Sequence, residues 1–186
     1  MRALIVLPLV FSTAAFAQDG PSFDCAAASG EVETAICADA ELARLDRGLA
    51  DRYAQALAAV RALDAGAADA EAELKAYQRG WIGGRNDCWK AEDLVGCVRD
   101  AYLDRDGQLT AQWMLQEPGE TVFWTCGGNP ANEVVTTFFA TERPSVRFER
   151  GDTVDTGSLR RTASGARYEG TFGRSIWIKG DEAQYR

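Results

Sequence analysis

The sequence predicts an α+β fold, a small disulfide-stapled all-α domain followed by a small antiparallel β-barrel or sandwich domain. Three observations carry the prediction. Apolar residues of the first half recur at three- and four-residue spacing, those of the second half fall in short β-branched and aromatic runs, and four of the five cysteines lie in the first half. The two patterns meet at Gln116-Glu117-Pro118-Gly119-Glu120, which ends a helical pattern and cannot continue it. The expected division is residues 1–17, 18–117 and 118–186.

The first segment reads as a signal peptide. Arg2 precedes an apolar run from Ala3 to Phe11, and Ala15-Phe16-Ala17 supplies the small-x-small pattern that signal peptidase cuts after. Cleavage near Ala17 starts the mature chain at Gln18, in a periplasmic or secreted setting where disulfides persist. The run is too short to span a bilayer, no later stretch is long enough, and no cysteine stands at the cleavage point, so no membrane anchor is expected.

Helices follow. After Asp39, a suitable N-cap, Leu42, Leu45, Leu49, Tyr53, Leu57, Val60 and Leu63 form one apolar stripe that ends around Gly66. A second pattern through Leu74, Tyr77, Gln78 and Trp81 is expected to stop at Gly83-Gly84, and a third passes through Leu94, Val98, Tyr102, Leu109 and Trp113. So few helices bury a modest core, and such domains are usually stapled. Cys25, Cys37, Cys88 and Cys97 allow three pairings; the local ones, Cys25 with Cys37 and Cys88 with Cys97, are favoured because they pin the leading segment and the turn before the last helix. The competing metal reading is disfavoured by the absence of histidine, by spacings unlike Cys-x-x-Cys, and by export. Cys126 is left over.

The second half reads as strands over 122–125, 133–140, 145–148, 153–160, 166–172, 175–178 and 183–185, separated by Gly-Gly-Asn-Pro, Arg-Pro, Arg-Gly-Asp and Gly-Arg turns. Such regular spacing indicates a small antiparallel barrel or sandwich. Alternation puts Ile176 and Ile178 on one face and Ser175, Trp177 and Lys179 on the other. The strand arginines Arg160, Arg161, Arg167 and Arg174 are expected to face solvent.

Charge is divided unevenly. Gln18 to Glu117 carries 19 Asp and Glu against 10 Lys and Arg, whereas Pro118 to Arg186 carries 9 of each. An acidic exported chain disfavours nucleic acid and anionic membrane and favours a basic partner, although net charge also serves solubility alone. Without histidine there is no Ser-His or Cys-His relay, and neither half is large enough for a hydrolase cleft, so no enzyme, catalytic residue, metal or cofactor is expected.

Two resemblances sharpen the reading. "PSFDCAAASGEVETAICADAELARLDR" followed by "QRGWIGGRNDCWKAEDLVGCVRDAY" resembles the LprI-type N-terminal domain, a cysteine-stapled helical module of exported bacterial proteins named for a lysozyme inhibitor; the match keeps both cysteine pairs, Trp81, Arg85 and Tyr102. No binding residue is carried over from that module, and Trp81 and Arg85 are read as packing around the staple. In the second half, Ser164-Gly165-Ala166-Arg167-Tyr168 and Trp177-Ile178-Lys179-Gly180-Asp181-Glu182-Ala183 resemble the two signature segments of the periplasmic and membrane-bound inhibitors of c-type lysozyme, and Trp124-Thr125-Cys126 matches their first strand. Lysozyme works with one protonated and one ionised carboxyl group. The resemblance implies that the Ser164 loop and the Lys179 loop enter the cleft of a c-type lysozyme, itself a basic protein, and engage those carboxyls, with Gly165, Tyr168, Trp177 and Gly180 as supporting loop residues. Two departures stand out: the stretch between the loops, with Gly170, Gly173 and Arg174, is longer than the family pattern, and no cysteine follows Cys126 to pair with it. The rival reading is a non-inhibitory envelope protein whose barrel binds another surface partner or serves assembly.

Overall fold

The computed structural model describes residues 20–129 and 131–186, with the backbone alone for Phe172. The expected signal peptide, residues 1–17, lies outside the described residues. No helix among the described residues is long and apolar enough to cross a membrane.

Four α-helices come first: α1 (Gly30–Ala38), α2 (Ala40–Arg61), α3 (Ala67–Asn86) and α4 (Leu94–Trp113). Asp39 caps α2, its carboxylate accepting from the Leu42 amide at 2.9 Å, and Asp93 caps α4 through the Gly96 amide at 2.8 Å. The expected stripe of α2 is the buried one at Leu42, Leu45, Leu49 and Val60, with Tyr53 and Leu57 half-buried. Leu63 falls past the end of the helix and is exposed. The expected stop of α3 at Gly83-Gly84 is corrected: the helix runs on to Asn86. Two helical glycines cost about 1 kcal/mol each relative to alanine, but the next residue, Arg85, is buried and hydrogen-bonded into the core, which carries the helix past them. The disulfides are Cys25–Cys37 and Cys88–Cys97, the first tying a 3₁₀ turn to the end of α1, the second joining the turn after α3 to the start of α4.

The helical core contains a polar knot. Arg85 Nη1 donates to the Tyr102 hydroxyl at 2.8 Å, and that hydroxyl donates to Asp46 Oδ1 at 2.7 Å. The other carboxylate oxygen accepts from the Ser22 amide and hydroxyl, both at 2.6 Å. Arg85 also lies over the Trp81 ring, which meets Tyr102 edge to face. Burial, with Asp46 beside it, pushes the Tyr102 hydroxyl pKa well up. Arg85 is thus the cationic half of a buried ion pair with Asp46, and Trp81 packs against it and Tyr102.

The second part is one seven-stranded sheet, β1 (Thr121–Thr125), β2 (Glu133–Phe139), β3 (Ser145–Arg150), β4 (Thr153–Arg160), β5 (Ala166–Gly170), β6 (Ser175–Lys179) and β7 (Glu182–Tyr185), each antiparallel to the next and curled into a nearly closed barrel. Val134, Val146, Phe148, Tyr168 and Ile176 form its core, with Trp124, Leu159 and Ile178 against them. β5 ends at Gly170 instead of residue 172, because Thr171–Gly173 turn into a 3₁₀ helix closed by the Arg174 amide on the Thr171 carbonyl at 3.1 Å.

The two parts meet along α4, which packs against β2, β3 and β4. At Gly107 a Cβ would stand 2.9 Å from Ser145 Cβ, so only glycine permits the approach. Asp104 accepts from Arg143 at 2.8 Å and from both terminal nitrogens of Arg160 at 2.8 and 2.7 Å. The reading of the strand arginines as solvent-facing is therefore corrected for Arg160, which grips α4; Arg167 pairs with Glu169 at the surface, the exposed Arg174 reaches the buried carboxylate of Asp155, and Arg161 is exposed. Burial raises the Asp104 carboxyl pKa, but the two guanidinium groups outweigh it and hold it below the usual carboxylate range. A depressed folded value means that the stability Asp104 confers is complete above its unfolded value, about pH 4, and is lost as the pH falls through the folded one. Asp104→Asn is expected to cost about 1–2 kcal/mol at pH 7, moderated by the partial exposure of the carboxyl. That deficit should shrink toward zero near pH 2, as read by thermal melts across pH.

Candidate functional site

The loops at one end of the barrel hold the residues singled out in the sequence. Ser164 lies in the β4–β5 loop and Lys179 ends β6 at a two-residue turn, Gly180-Asp181, that leads into β7. They are 15 positions apart, yet the β5–β6 register pairs Ala166 with Ile178 and so folds the two loops side by side. The additional length around Gly170, Gly173 and Arg174 is taken up at the opposite end of this hairpin, where Glu169 pairs with Ser175, and does not separate them.

Three interactions brace the loops. The Thr162 hydroxyl lies within hydrogen-bond distance of the carbonyls of Ser164, at 3.1 Å, and Gly165, at 3.0 Å. Trp177 Nε1 donates to the Ser164 carbonyl at 3.0 Å, which ties the serine loop to β6. Gly165 has φ +72°, and a Cβ there would stand 2.2 Å from the Ile178 carbonyl oxygen and 2.8 Å from Lys179 Cγ. Only a residue without a side chain lets the loops touch in this way. Gly180, at φ +59°, has open space around it and serves the turn alone.

The functional ends of both residues point outward. Ser164 and Lys179 are exposed, and the Lys179 ammonium sits 3.8 Å from the centre of the Trp177 ring. No ion pair holds that ammonium among the described residues. An aromatic face orients the cation without neutralising it, so it stays available to an external anion. Tyr168 is buried in the barrel core against Phe138, away from the surface the loops present. Lys179 also borders an open cavity of about 850 Å³ along the seam between β1 and β7, with Trp124, Cys126, Trp177 and Tyr185 on its walls.

Cys126 is half-buried there, without a disulfide partner among the described residues. Cys25, Cys37, Cys88 and Cys97 are all in the helical part, remote in sequence from the loops. No cluster of three Cys, Asp or Glu side chains suited to a metal ion occurs among the described residues. Sequence reasoning missed Thr162. Its signal was a hydroxyl two residues before a Ser-Gly turn, a placement that favours side-chain bonding to the turn backbone.

Comparison with known proteins gives two family matches. The family described as lysozyme inhibitor LprI matches residues 25–101, and that described as membrane-bound lysozyme-inhibitor of c-type lysozyme, MliC, matches residues 124–186. Among curated proteins, the lipoproteins LprI of Mycobacterium bovis and Mycobacterium tuberculosis are each 36% identical to this chain over 90 residues, which is 48% of this chain and 41% of theirs. The match therefore spans less than half of those relatives. No solved structure matches the chain. In order along the chain, a helical part similar to LprI precedes a barrel similar to MliC.

Proposed function

We propose that the chain is an exported, non-enzymatic inhibitor of c-type lysozyme that places the Ser164 loop and the Lys179 loop in the enzyme's active-site cleft. The observation that carries this reading is the junction of the two loops. A braced serine turn and an ammonium without an acidic partner among the described residues project together from one barrel end, joined by Trp177 and by the contact at Gly165.

The chemistry follows from the target. Against the ionised carboxylate of a lysozyme, Lys179 supplies a charge already held in place by Trp177, and the Ser164 hydroxyl donates to or accepts from the neighbouring carboxyl. The loops then occupy the space that the glycan needs. In this reading residues 1–17 are removed on export, residues 18–117 form the helical domain and residues 118–186 the inhibitor domain. The helical domain, with 19 acidic against 10 basic residues, speeds encounter with a basic enzyme at low salt.

Calorimetric titration of a c-type lysozyme with the chain from Gln18 to Arg186 tests cleft insertion. Binding is expected to weaken in step with occupancy when the enzyme's cleft is filled beforehand with chitotriose, and Ser164→Ala is expected to weaken it about tenfold by removing one hydrogen bond and leaving the carboxyl it met unsatisfied. Binding indifferent to chitotriose would contradict insertion.

A further inference from the structure

Along α4 the apolar stripe Val98, Tyr102, Leu109 and Trp113 has one position filled by a charge. Arg105 stands three residues after Tyr102 and four before Leu109, and is 4% exposed. Its partners are neutral: Nε donates to the Gln78 amide oxygen at 3.0 Å and Nη1 to that of Gln108 at 2.7 Å. Among the described residues its remaining terminal nitrogen, Nη2, is buried with no hydrogen-bond partner, and no carboxylate pairs with this guanidinium. Burial without a counter-charge pushes the Arg105 pKa down to about 10. The other buried arginine of the helical part, Arg85, has the Asp46 carboxylate within 3.9 Å. A buried charge without an anion is costly, and a site that retains one points to an anion from outside.

Arg105 borders a cleft of about 460 Å³ between α3, α4 and the start of β4, within the size range of small-molecule sites. Tyr77, 54% exposed, stands at its mouth, Trp81 and Trp113 line it, and Gln108 and Gln112 add amide groups. Its acidic members do not neutralise Arg105: Asp155 is paired with Arg174 at 2.7 Å, and Glu73 is an exposed rim residue.

We propose that this cleft binds a carboxylate-bearing glycan fragment, the carboxylate pairing with Arg105 and a sugar ring stacking on Tyr77. Aromatic faces and amides suit the apolar face and hydroxyl rim of a pyranose. One unpartnered guanidinium nitrogen, with its two N–H groups, suits a carboxylate better than a phosphate, which collects donors from several groups, and Glu73 on the rim opposes a dianion. The half-buried Gln108 amide is the neighbour that gives way. The cleft lies at the Thr171–Arg174 end of the barrel, opposite Ser164 and Lys179, so the proposal does not rest on lysozyme inhibition.

Calorimetry on the chain from Gln18 to Arg186 tests it with three probes: the disaccharide of N-acetylglucosamine and N-acetylmuramic acid, the methyl ester of its carboxylate, and N,N′-diacetylchitobiose. The acid is expected to bind with a dissociation constant of about 1 mM or tighter, and the ester and chitobiose about tenfold or more weakly than the acid. Tyr77→Ala, at an exposed position, and Arg105→Met are each expected to weaken the acid about tenfold. Equal binding of acid and ester, no saturation by the acid up to about 10 mM, or an unchanged affinity in Tyr77→Ala would overturn the proposal. Should Arg105→Met fail to fold, the acid–ester pair and Tyr77→Ala decide it alone. Loss of lysozyme binding in Lys179→Ala with glycan binding intact separates this site from the inhibitor loops.

Discussion

Lys179→Ala is expected to weaken the complex with a c-type lysozyme about 100-fold, because truncating one partner of a desolvated interface charge pair costs about 2–5 kcal/mol. An ammonium about 4 Å from a carboxylate gains on the order of 4 kcal/mol at an effective dielectric near 20, before desolvation is subtracted. The free protein has already met part of the cost of ordering this side chain, since Lys179 Nζ rests 3.8 Å from the Trp177 ring centre. The position is exposed and its ammonium makes no ion pair among the described residues, so with only the contact to Trp177 lost the melting temperature of the variant should fall by no more than about 4 °C. Calorimetric dissociation constants and thermal melts of the two proteins check both halves. A Trp177→Leu variant should fall between them, because it keeps the charge and loses its platform.

Gly165→Ala is expected to be the most damaging single methyl group in the barrel's loop end. The added Cβ would stand 2.2 Å from the Ile178 carbonyl oxygen, a backbone atom that cannot swing aside, at a φ of +72° that side chains rarely adopt. Strain and overpacking together should destabilise the barrel by about 3 kcal/mol and push the serine loop off β6. The same change at Gly180, with positive φ and empty surroundings, should cost about 1 kcal/mol. Thermal melts of the pair measure the contrast, and lysozyme affinity should drop in Gly165→Ala even at temperatures where the variant stays folded. Equal effects at the two glycines would mean that the loop contact is dispensable.

Local features were legible in the sequence because they depend on near neighbours. The cap at Asp39, the stripe from Leu42 to Val60 and the strand alternation around Ile176 need only residues a few positions apart. Helix α3 escaped that logic: propensity ends it at Gly83-Gly84, whereas Arg85 is held by Tyr102 and Asp46, 17 and 39 positions away. The strand arginines escaped it too. Nothing near Arg160 in sequence announces Asp104, its partner 56 residues earlier. Of the candidate site, the serine and lysine turns were readable as motifs, but their meeting depends on the register of β5 with β6, and the role of Gly165 on a distance no pattern contains. Arg105 was passed over between Tyr102 and Leu109, since only the packed structure buries it with no acidic partner among the described residues.

The most direct test of the inhibitor reading is the rate at which a c-type lysozyme clears a peptidoglycan suspension as the chain from Gln18 to Arg186 is added. The expected result is a linear fall that reaches zero near one molecule of chain per molecule of enzyme, and a shallow decline when Lys179→Ala replaces the parent. An undiminished rate at a large molar excess of folded chain would contradict it.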